Sequence, residues 1–480
     1  MVWFSRMNTS TSAFLEPLSA AFAHALDHLC PKTKKSVAAT ATLDELRSRL
    51  CFALPEEGTT ATQVITDLVA GVEGGIHDSA GSKFFGWVIG GSLPAALSAD
   101  WLTSAWDQNA ALYACGPAAA VVEEAVGQWL KELLPVGPEA SFALVTGTQM
   151  AHVTCLAAAR HRLLIARGTD PEIDGLQSAP AIRILTSSEM HGSIVRAVRL
   201  LGMGEKNLVR LAVKDDGTLI PQALEAAMVE DPSAPTIVIL HAGDLNIGAF
   251  DDFQELIPMA RRHGAWVHVD GAFGLWAGAS PRFRHLLDGV DAADSWTTDG
   301  HKWLNVPYDS GYAFIRDREA HRSSVSHRAA YLTHDVDARD QIDWTPEWSR
   351  RGRGFATYAA LRQLGKAGVA QLIERTCTCA HALVTGIGTL PGAEVVWKPT
   401  INQGLVRFLH ASSEAQESDH DSFTEIVMAK ILASGQAFFT GTTWRGRRAM
   451  RISVCNWQTS LSGVAEVVDG VANILREARR

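Results

Sequence analysis

Cysteine is scarce in this chain. The seven among 480 residues (Cys30, Cys51, Cys115, Cys155, Cys377, Cys379 and Cys455) are too few and too irregularly spaced for a disulfide framework or a paired-cysteine zinc site. Cys377-x-Cys379 alone is a weak metal signal, so no metal is expected. The cysteines read as reduced, mostly buried packing residues of a cytoplasmic protein. An excess of basic charge is also missing. With 43 Lys and Arg against 52 Asp and Glu, the formal charge is −9. That sign argues against a nucleic-acid scaffold or a membrane-surface binder. No run of ~18 apolar residues is present, which excludes a bilayer-spanning helix. The opening MVWFSRMNTSTS lacks the charged, apolar and small-residue order of a secretory leader, and none is expected. There is no fixed-period repeat, no Walker A loop and no G-x-G-x-x-G, so solenoid, ATP-binding and dinucleotide readings gain no support.

What is present is a large apolar fraction, 47%, with 20% charged residues. A chain of this length forms two or three compact units, or one large α/β unit with an appendage. Residues 1–85 read as a helical segment. Ser19–Leu29 has apolar residues at helical spacing, and Thr42–Leu50 opens with a Thr42-x-x-Glu45 capping pattern. Trp101–Tyr113 and Ala118–Leu134 read as amphipathic helices separated by Gly116-Pro117. From residue 142 the pattern changes. Short runs apolar on both faces (Phe142–Val145, Ala181–Leu185, Thr236–Leu240, Ala265–Val269) alternate with helical stretches, the signature of buried parallel strands with helix crossovers. Asp294–Thr298 and Gly311–Ile315 look like two further strands. His321–Trp348 is polar and unassigned, a length at which loops are often functional. A long helix is expected after SRRGRG (349–354). The terminal unit has strands near Leu405–Phe408 and Met450–Val454, and His410–Ser422 reads as an exposed polar excursion.

Four local constellations could carry chemistry, and each has a plain alternative. Val145-Thr-Gly147-Thr148-Gln149 runs from a strand into a helix, where free N–H groups hold phosphate, although ordinary strand–helix turns look the same. Asp270 closes the strand Trp-Val-His-Val-Asp, at the edge where open α/β sheets bind ligands. It could equally be a turn or cap aspartate. Lys302, in Asp-Gly-His-Lys-Trp-Leu-Asn, has aromatic and apolar neighbours rather than charged ones, and a buried lysine becomes a nucleophilic amine, although taken alone a solvated lysine after a turn is the plainer reading. His191, in Ser-Glu-Met-His-Gly-Ser, follows a strand and could stack on a flat ligand, move protons or simply start a helix. One cofactor uses all four. Pyridoxal phosphate has a phosphate to cradle, a ring to stack, a pyridine nitrogen to keep protonated and an aldehyde for a lysine to capture.

On these residues the sequence resembles the group II pyridoxal-phosphate-dependent amino-acid decarboxylases, relatives of aromatic L-amino-acid and glutamate decarboxylases on the aspartate-aminotransferase fold (fold type I). His-Val-Asp-Gly-Ala (268–272) and Asp-Ser-Trp-Thr-Thr-Asp-Gly-His-Lys-Trp-Leu (294–304) carry the likeness, which extends from about Phe84 to Trp457. It implies an α/β fold: a helical N-terminal segment (1–85) used in dimerisation, a large cofactor-binding domain (86–350) with a mostly parallel seven-stranded sheet, and a small C-terminal α/β domain (351–480). Lys302 would form the Schiff base, Asp270 would face the pyridine nitrogen, and His191 and Ala272 would flank the ring. Gly147, Thr148, Gln149, Ser295 and His301 would surround the phosphate. Tyr331 resembles the family's mobile-loop tyrosine, the proton donor, with His191 as the alternative. Where relatives lack that tyrosine, oxidative deamination to an aldehyde can replace simple decarboxylation. Arg451 resembles a substrate-carboxylate arginine, and Trp87 would line the pocket. Leu112 and Tyr113 would reach it from the second subunit of a homodimer with shared sites. Arg351 and Arg353 match a family arginine pair.

Two departures stand out. Gln149 and His152 occupy a phosphate turn that in the family usually has small residues, often followed by Asn. Gly243-Asp244-Leu245 replaces a common Gly-Thr-Thr. No cation or anion is evidently reserved for a charged side chain, although Asp244 or Asn109 could reverse that. The expected activity is decarboxylation of an L-amino acid with an aromatic or apolar side chain to the amine and CO₂. The alternative is another reaction of the same cofactor: coupled aldehyde synthesis, carbon–carbon bond formation or transamination. A cofactor-free structural homologue would be expected to have lost Lys302 or Asp270, and both are present.

Overall fold

The computed structural model describes residues 12–31, 35–327 and 338–480. Helices α1 (Ser12–Leu29), α2 (Leu43–Leu50) and α3 (Ala61–Val72) come first, followed by α4 (Pro94–Trp106) and α5 (Pro117–Leu133). The Thr42-x-x-Glu45 pattern makes a reciprocal cap on α2. Glu45 N–H donates to Thr42 Oγ1, and Thr42 N–H donates to the Glu45 carboxylate at 2.7 Å. α4 lies earlier than the expected 101–113. Pro94 opens it, where proline's missing N–H is harmless, and Asp107 ends it in the left-handed region (φ 48°). The apolar faces of α1–α3 are largely uncovered, with Phe14, Leu18, Phe22, Leu43 and Leu68 exposed.

The central layer is a sheet of β1 (Ser141–Val145), β2 (Arg183–Ser187), β3 (Leu208–Leu211), β4 (Thr236–His241), β5 (Trp266–Asp270), β6 (Ser295–Asp299) and β7 (Gly311–Ile315). Its order is β1-β7-β6-β5-β4-β2-β3. β7 runs antiparallel to both β1 and β6, and the other pairs are parallel. Every residue of β1, β4, β5, β6 and β7 is buried, as their two-faced apolar runs require. β3 escapes the sequence reading because Leu-Val-Arg-Leu at a sheet edge has only its end residues buried. The crossover helices are α6 (Thr148–Ile165), α7 (Gly192–Leu200), α8 (Pro221–Glu230) and α9 (Phe253–Arg262), and α10 (Arg318–Val325) follows β7. α6 and α7 cover one face with Cys155, Leu156, Ile194 and Val198. α5, α8 and α9 cover the other with Val126, Leu224 and Ile257.

α11 (Gly354–Gly388) begins where the arginine-rich stretch predicts a long helix, but Gly365 (φ 60°, ψ 177°) breaks it into two segments. Its latter part packs on the second sheet, formed by β8 (Ala393–Trp397), β9 (Gln403–Phe408), β10 (Thr440–Trp444) and β11 (Arg447–Ser453) in the antiparallel order β10-β11-β9-β8. α12 (Glu417–Ser434) and α13 (Leu461–Ala478) complete that layer. The polar stretch 410–422 is only partly an excursion. Gln416 and Asp419 cap α12, because acidic residues that look like loop composition also suit a helix N-terminus. The expected polar segment 321–348 contains the end of α10 and a short 3₁₀ turn, Gln341–Asp343.

The arginine that matters most to the frame is one the sequence reading passed over. Arg351 and Arg353 form partly exposed pairs with Asp100 (2.8 Å) and Asp309 (2.7 Å). Arg350, between the exposed Ser349 and Arg351, is buried. It donates to Glu123 Oε1 on α5 (2.6 Å), to Leu144 O on β1 (2.6 Å) and to Ala110 O (3.2 Å). Replacing it by leucine leaves a buried carboxylate and two carbonyls without this donor. A loss of about 3–5 kcal/mol is expected in chemical denaturation. Arg350→Lys should recover little of it, since one ammonium cannot serve three acceptors set for a planar fork.

Candidate active site

Parallel strands bring their carboxyl ends to one sheet edge, and a cleft of about 730 Å³ opens there. Its walls come from successive strand ends: residues 146–149 after β1, 189–193 after β2, 243–245 after β4, Asp270, Ala272 and Phe273 at β5, and Asp299, His301 and Lys302 at β6. Trp87, Val88, Tyr308 and Arg451 close the mouth.

Lys302 Nζ lies 2.9 Å from Asp299 Oδ2. The other oxygen of Asp299 accepts the Thr148 N–H at 2.6 Å, at the start of α6. Burial pushes the Asp299 carboxyl up, but Lys302, His301 and the bond from Thr148 outweigh it and hold the group below the usual carboxylate range. Asp299 thus ties the lysine to the phosphate-type turn. It was missed in the sequence, although its place three residues before Lys302 on the last turn of the same motif was the available signal. Gly147 packs against His301, and a Cβ there would lie 2.9 Å from the imidazole. Ser310 N–H donates to His301 Nδ1, and Tyr308 stacks on the ring with centroids 4.3 Å apart.

Asp270 is buried at the end of β5. Its Oδ1 accepts the Ala272 N–H (3.1 Å), and its Oδ2 faces His152 Nε2 at 3.4 Å. Burial raises this carboxyl, but the influence of His152 at 3.4 Å, with His241 and His191, prevails and holds it well below the usual range. His191 caps α7 by accepting the Ser193 N–H on Nδ1 (3.2 Å), which leaves Nε2 as the protonated nitrogen of its neutral ring. Burial lowers its pKa, with the field of Lys302 and His152 in the same direction and Asp270 opposing.

The cleft therefore brings together Gly147, Thr148, Gln149, His191, Asp270, Ala272, His301, Lys302, Trp87 and Arg451. Ser295 is not among them. It sits at the amino end of β6, fully buried, and its hydroxyl is engaged by Trp266 Nε1 (2.9 Å) and His268 Nδ1 (2.8 Å). The strand runs from Ser295 on one edge to Asp299 on the other, so the motif's serine and its lysine cannot share one site. Tyr113 does not line the cleft of its own chain; its N–H donates to Asp340 Oδ1. Tyr331 lies outside the described residues. Asp244 lines the cleft, yet its carboxylate accepts the N–H groups of Asn246, Ile247 and Ala249. Asn109 Oδ1 likewise accepts from Ala111 and Arg350 N–H. Arg451 is buried and donates Nη1 to Leu245 O (3.1 Å), while its Nε has no partner.

The residues fit pyridoxal phosphate on two observations. Thr148 Oγ1, at the amino end of α6, is buried with no hydrogen-bond partner, a vacancy suited to a phosphate oxygen. The cleft also holds an amine and a buried carboxylate on neighbouring strand ends. Gly90 protects this arrangement, since a Cβ on it would lie 1.7 Å from the Lys302 carbonyl oxygen. Gly90→Ala must shift the lysine turn. It is expected to cut retained cofactor, read by absorbance after gel filtration, and to lower the denaturation midpoint of the cofactor-free protein as well.

Residues 44–410 match the family described as the pyridoxal-dependent decarboxylase conserved domain. The chain is 25% identical over 460 residues to an aromatic-L-amino-acid decarboxylase of Bacillus atrophaeus, covering 94% of this chain and 93% of the relative. It is 27% identical over 389 residues to an L-2,4-diaminobutyrate decarboxylase of Rhizobium meliloti (strain 1021), covering 80% and 75%. The crystal structure of Oryza sativa TDC with PLP and tryptamine superposes with a TM-score of 0.92 at 22% identity, over 99% of this chain and all of that one. That likeness shows the fold type I architecture. By the extent of the family match, the chain belongs to the pyridoxal-dependent decarboxylases and is a carboxy-lyase whose cofactor is pyridoxal phosphate.

Proposed function

We propose that this carboxy-lyase acts on an L-amino acid with an aromatic or apolar side chain and releases the amine and CO₂. The observation that carries the substrate class is the wall of the cleft. Trp87, Val88, Leu245, Phe273 and Tyr308 line it, and Asp244, which could have received a cationic side chain, is taken up by three backbone N–H groups. Trp87 packs on Phe438 at 5.0 Å and is half exposed, placed to cover an aromatic side chain.

In this reading Lys302 is the amine that takes the cofactor aldehyde, and Gly147, Thr148, Gln149 and His301 hold the phosphate. His191 and Ala272 flank the ring. When bound, pyridoxal phosphate supplies an electron sink for the pair left on Cα as CO₂ departs. Asp270 holds a proton on the ring nitrogen by its negative charge. Asp299 receives the Lys302 ammonium whenever that lysine is free, which keeps the amine beside the reacting carbon. Arg451, with unused donor capacity, orients the α-carboxylate. Its burial raises the strength of that contact, and its single bond to Leu245 O limits the rigidity with which a leaving group is held. Tyr331 delivers a proton to Cα, and His191 Nε2–H is the alternative donor. The exposed apolar residues of α1–α3 are read as the contact surface of a homodimer whose partner brings Leu112 and Tyr113 to the site. Sedimentation equilibrium giving a monomer mass would refute that arrangement.

A panel of L-amino acids assayed for CO₂, amine, ammonia, keto acid and hydrogen peroxide tests the activity. Aromatic substrates should exceed 2,4-diaminobutyrate in kcat/KM by about 10-fold or more, because the diamino side chain would desolvate its ammonium against Trp87, Leu245, Phe273 and Tyr308, with Glu189 the lining carboxylate left to meet it. Keto acid without CO₂ would refute decarboxylation. Borohydride trapping should add one reduced phosphopyridoxyl group to the peptide containing Lys302, and Lys302→Ala should abolish the adduct. Tyr331→Phe should divert turnover from amine to aldehyde, ammonia and hydrogen peroxide, with oxygen consumed. An unchanged product ratio would make His191 the donor.

A further inference from the structure

Behind Asp270 lies a row of polar groups that the reading above does not use. His152, on the inner face of α6, is fully buried. Its Nε2 has no hydrogen-bond partner within ordinary range, and the polar group it faces is the Asp270 carboxylate at 3.4 Å. Its Nδ1 lies 2.9 Å from His268 Nε2, with the two rings edge to face. His268, two residues before Asp270 on β5, places Nδ1 2.8 Å from Ser295 Oγ on β6. Ser295 Oγ in turn lies 2.9 Å from Trp266 Nε1. Every member of this chain is buried.

The chemistry of the two ends fixes its direction. An indole N–H only donates, so Trp266 fills a lone pair of Ser295 and leaves the hydroxyl proton free for His268 Nδ1. An ionised carboxylate only accepts, so the nitrogen facing Asp270 must carry a proton. An arrangement that gives each nitrogen and oxygen along the line a partner runs Trp266 to Ser295 to His268 to His152 to Asp270, each group donating to the next, with Cys155 as a further neighbour of the Ser295 hydroxyl. Burial and the field of His152 push the His268 imidazole far down, in keeping with a ring that holds one proton.

We propose that this line is a directional hydrogen-bond relay and that His152 is a positioning residue for the cofactor's ring nitrogen, acting through Asp270. The proposal rests on the reading of Asp270 given above. Asp270 and the ring nitrogen compete for one proton. A donor behind the carboxylate stabilises its ionised form, so the proton stays on nitrogen, where the electron sink needs it. Without that donor, burial alone would favour the neutral pair, a protonated carboxyl beside an unprotonated ring. The other titratable groups near the pair are His241 of β4, which faces Asp251 at 3.6 Å, His191 ahead of α7 and Lys302 after β6. His241 and His191 also favour the ionised carboxylate, but neither joins the relay. The arrangement accounts for the departure at position 152 and for Ser295, whose hydroxyl serves the relay rather than the phosphate.

The test uses holoenzyme loaded with ¹⁵N-labelled pyridoxal phosphate, in which the nitrogen chemical shift reports directly whether the ring is protonated. His152→Phe keeps a flat buried ring and removes the donor. Its resonance should move toward unprotonated pyridine, and kcat should fall by on the order of 10-fold or more at little change in KM. His152→Gln, which returns an N–H, should recover the protonated signal in large part. A His152→Phe holoenzyme that keeps the protonated resonance overturns the relay. Asp270→Asn separates the two levels. If it too leaves the ring protonated, the reading of Asp270 fails. If it deprotonates the ring while His152→Phe does not, only the relay fails. Neutron diffraction from wild-type holoenzyme crystals decides the matter without any variant. Deuterons on Nε2 of both His152 and His268 support the relay, and a deuteron on His152 Nδ1 overturns it.

Discussion

A carboxylate buried at the end of a central strand must keep its charge, and much of the site follows from that demand. Asp270 is almost without solvent, where an isolated anion would take up a proton instead. Its surroundings favour the ionised form from three directions: the Ala272 N–H ahead of it, His152 behind it, and His241 and His191 at its sides. Those groups come from β5, α6, β4 and the turn after β2, so the carboxylate is held by the large sheet and its crossovers together. Disturbing any of these elements disturbs the charge.

The sheet makes that convergence possible through its direction. β2, β4, β5 and β6 end at one edge, and the register pairs Asp270 with His241 on one side and Thr297 on the other. β7 reverses, and its first residue, Gly311, pairs with both Val145 and Asp299. A Cβ on Gly311 would lie 2.3 Å from the Gly147 Cα. The turn ahead of α6 therefore rests directly on the backbone of the antiparallel strand. This close approach lets Asp299 reach the Thr148 N–H with one oxygen and Lys302 with the other. Phosphate-type turn and amine are joined through a single buried side chain.

Much of this was legible from the residues. Runs apolar on both faces marked β1, β2, β4 and β5, and two further stretches, 294–298 and 311–315, marked β6 and β7. The strand-end positions of Asp270, His191 and Lys302, with the turn at 147–149, pointed to one cleft. The misses have physical causes. β3 is a short edge strand buried only at its two end residues, so it lacks a continuous apolar run. Ser295 lies inside the most recognisable motif, but a five-residue strand carries its two ends to the amino and carboxyl edges of the sheet, which a motif read as a string does not show. Arg350 looked like one more charge in an arginine-rich stretch. Its neighbours Arg351 and Arg353 stay partly exposed, and only the fold reveals which guanidinium turns inward to Glu123. His152 and His268 are far apart in sequence, and only the packing of α6 on β5 brings their rings together.

The departure at residues 243–245 acquires a meaning from the same accounting of partners. Asp244 follows Gly243, whose φ of 87° sets the turn, and its carboxylate collects the N–H groups of Asn246, Ile247 and Ala249. A hydroxyl-bearing residue there would close the loop with fewer acceptors and leave a polar group free toward the cleft. The aspartate instead spends its lone pairs on its own loop and holds Leu245, whose carbonyl accepts from Arg451. Loop closure, the aliphatic lining at Leu245 and the placement of the buried guanidinium are thus consequences of one side chain. The charge at position 244 is built into the wall, so an acidic residue beside the cleft is compatible with an apolar substrate side chain.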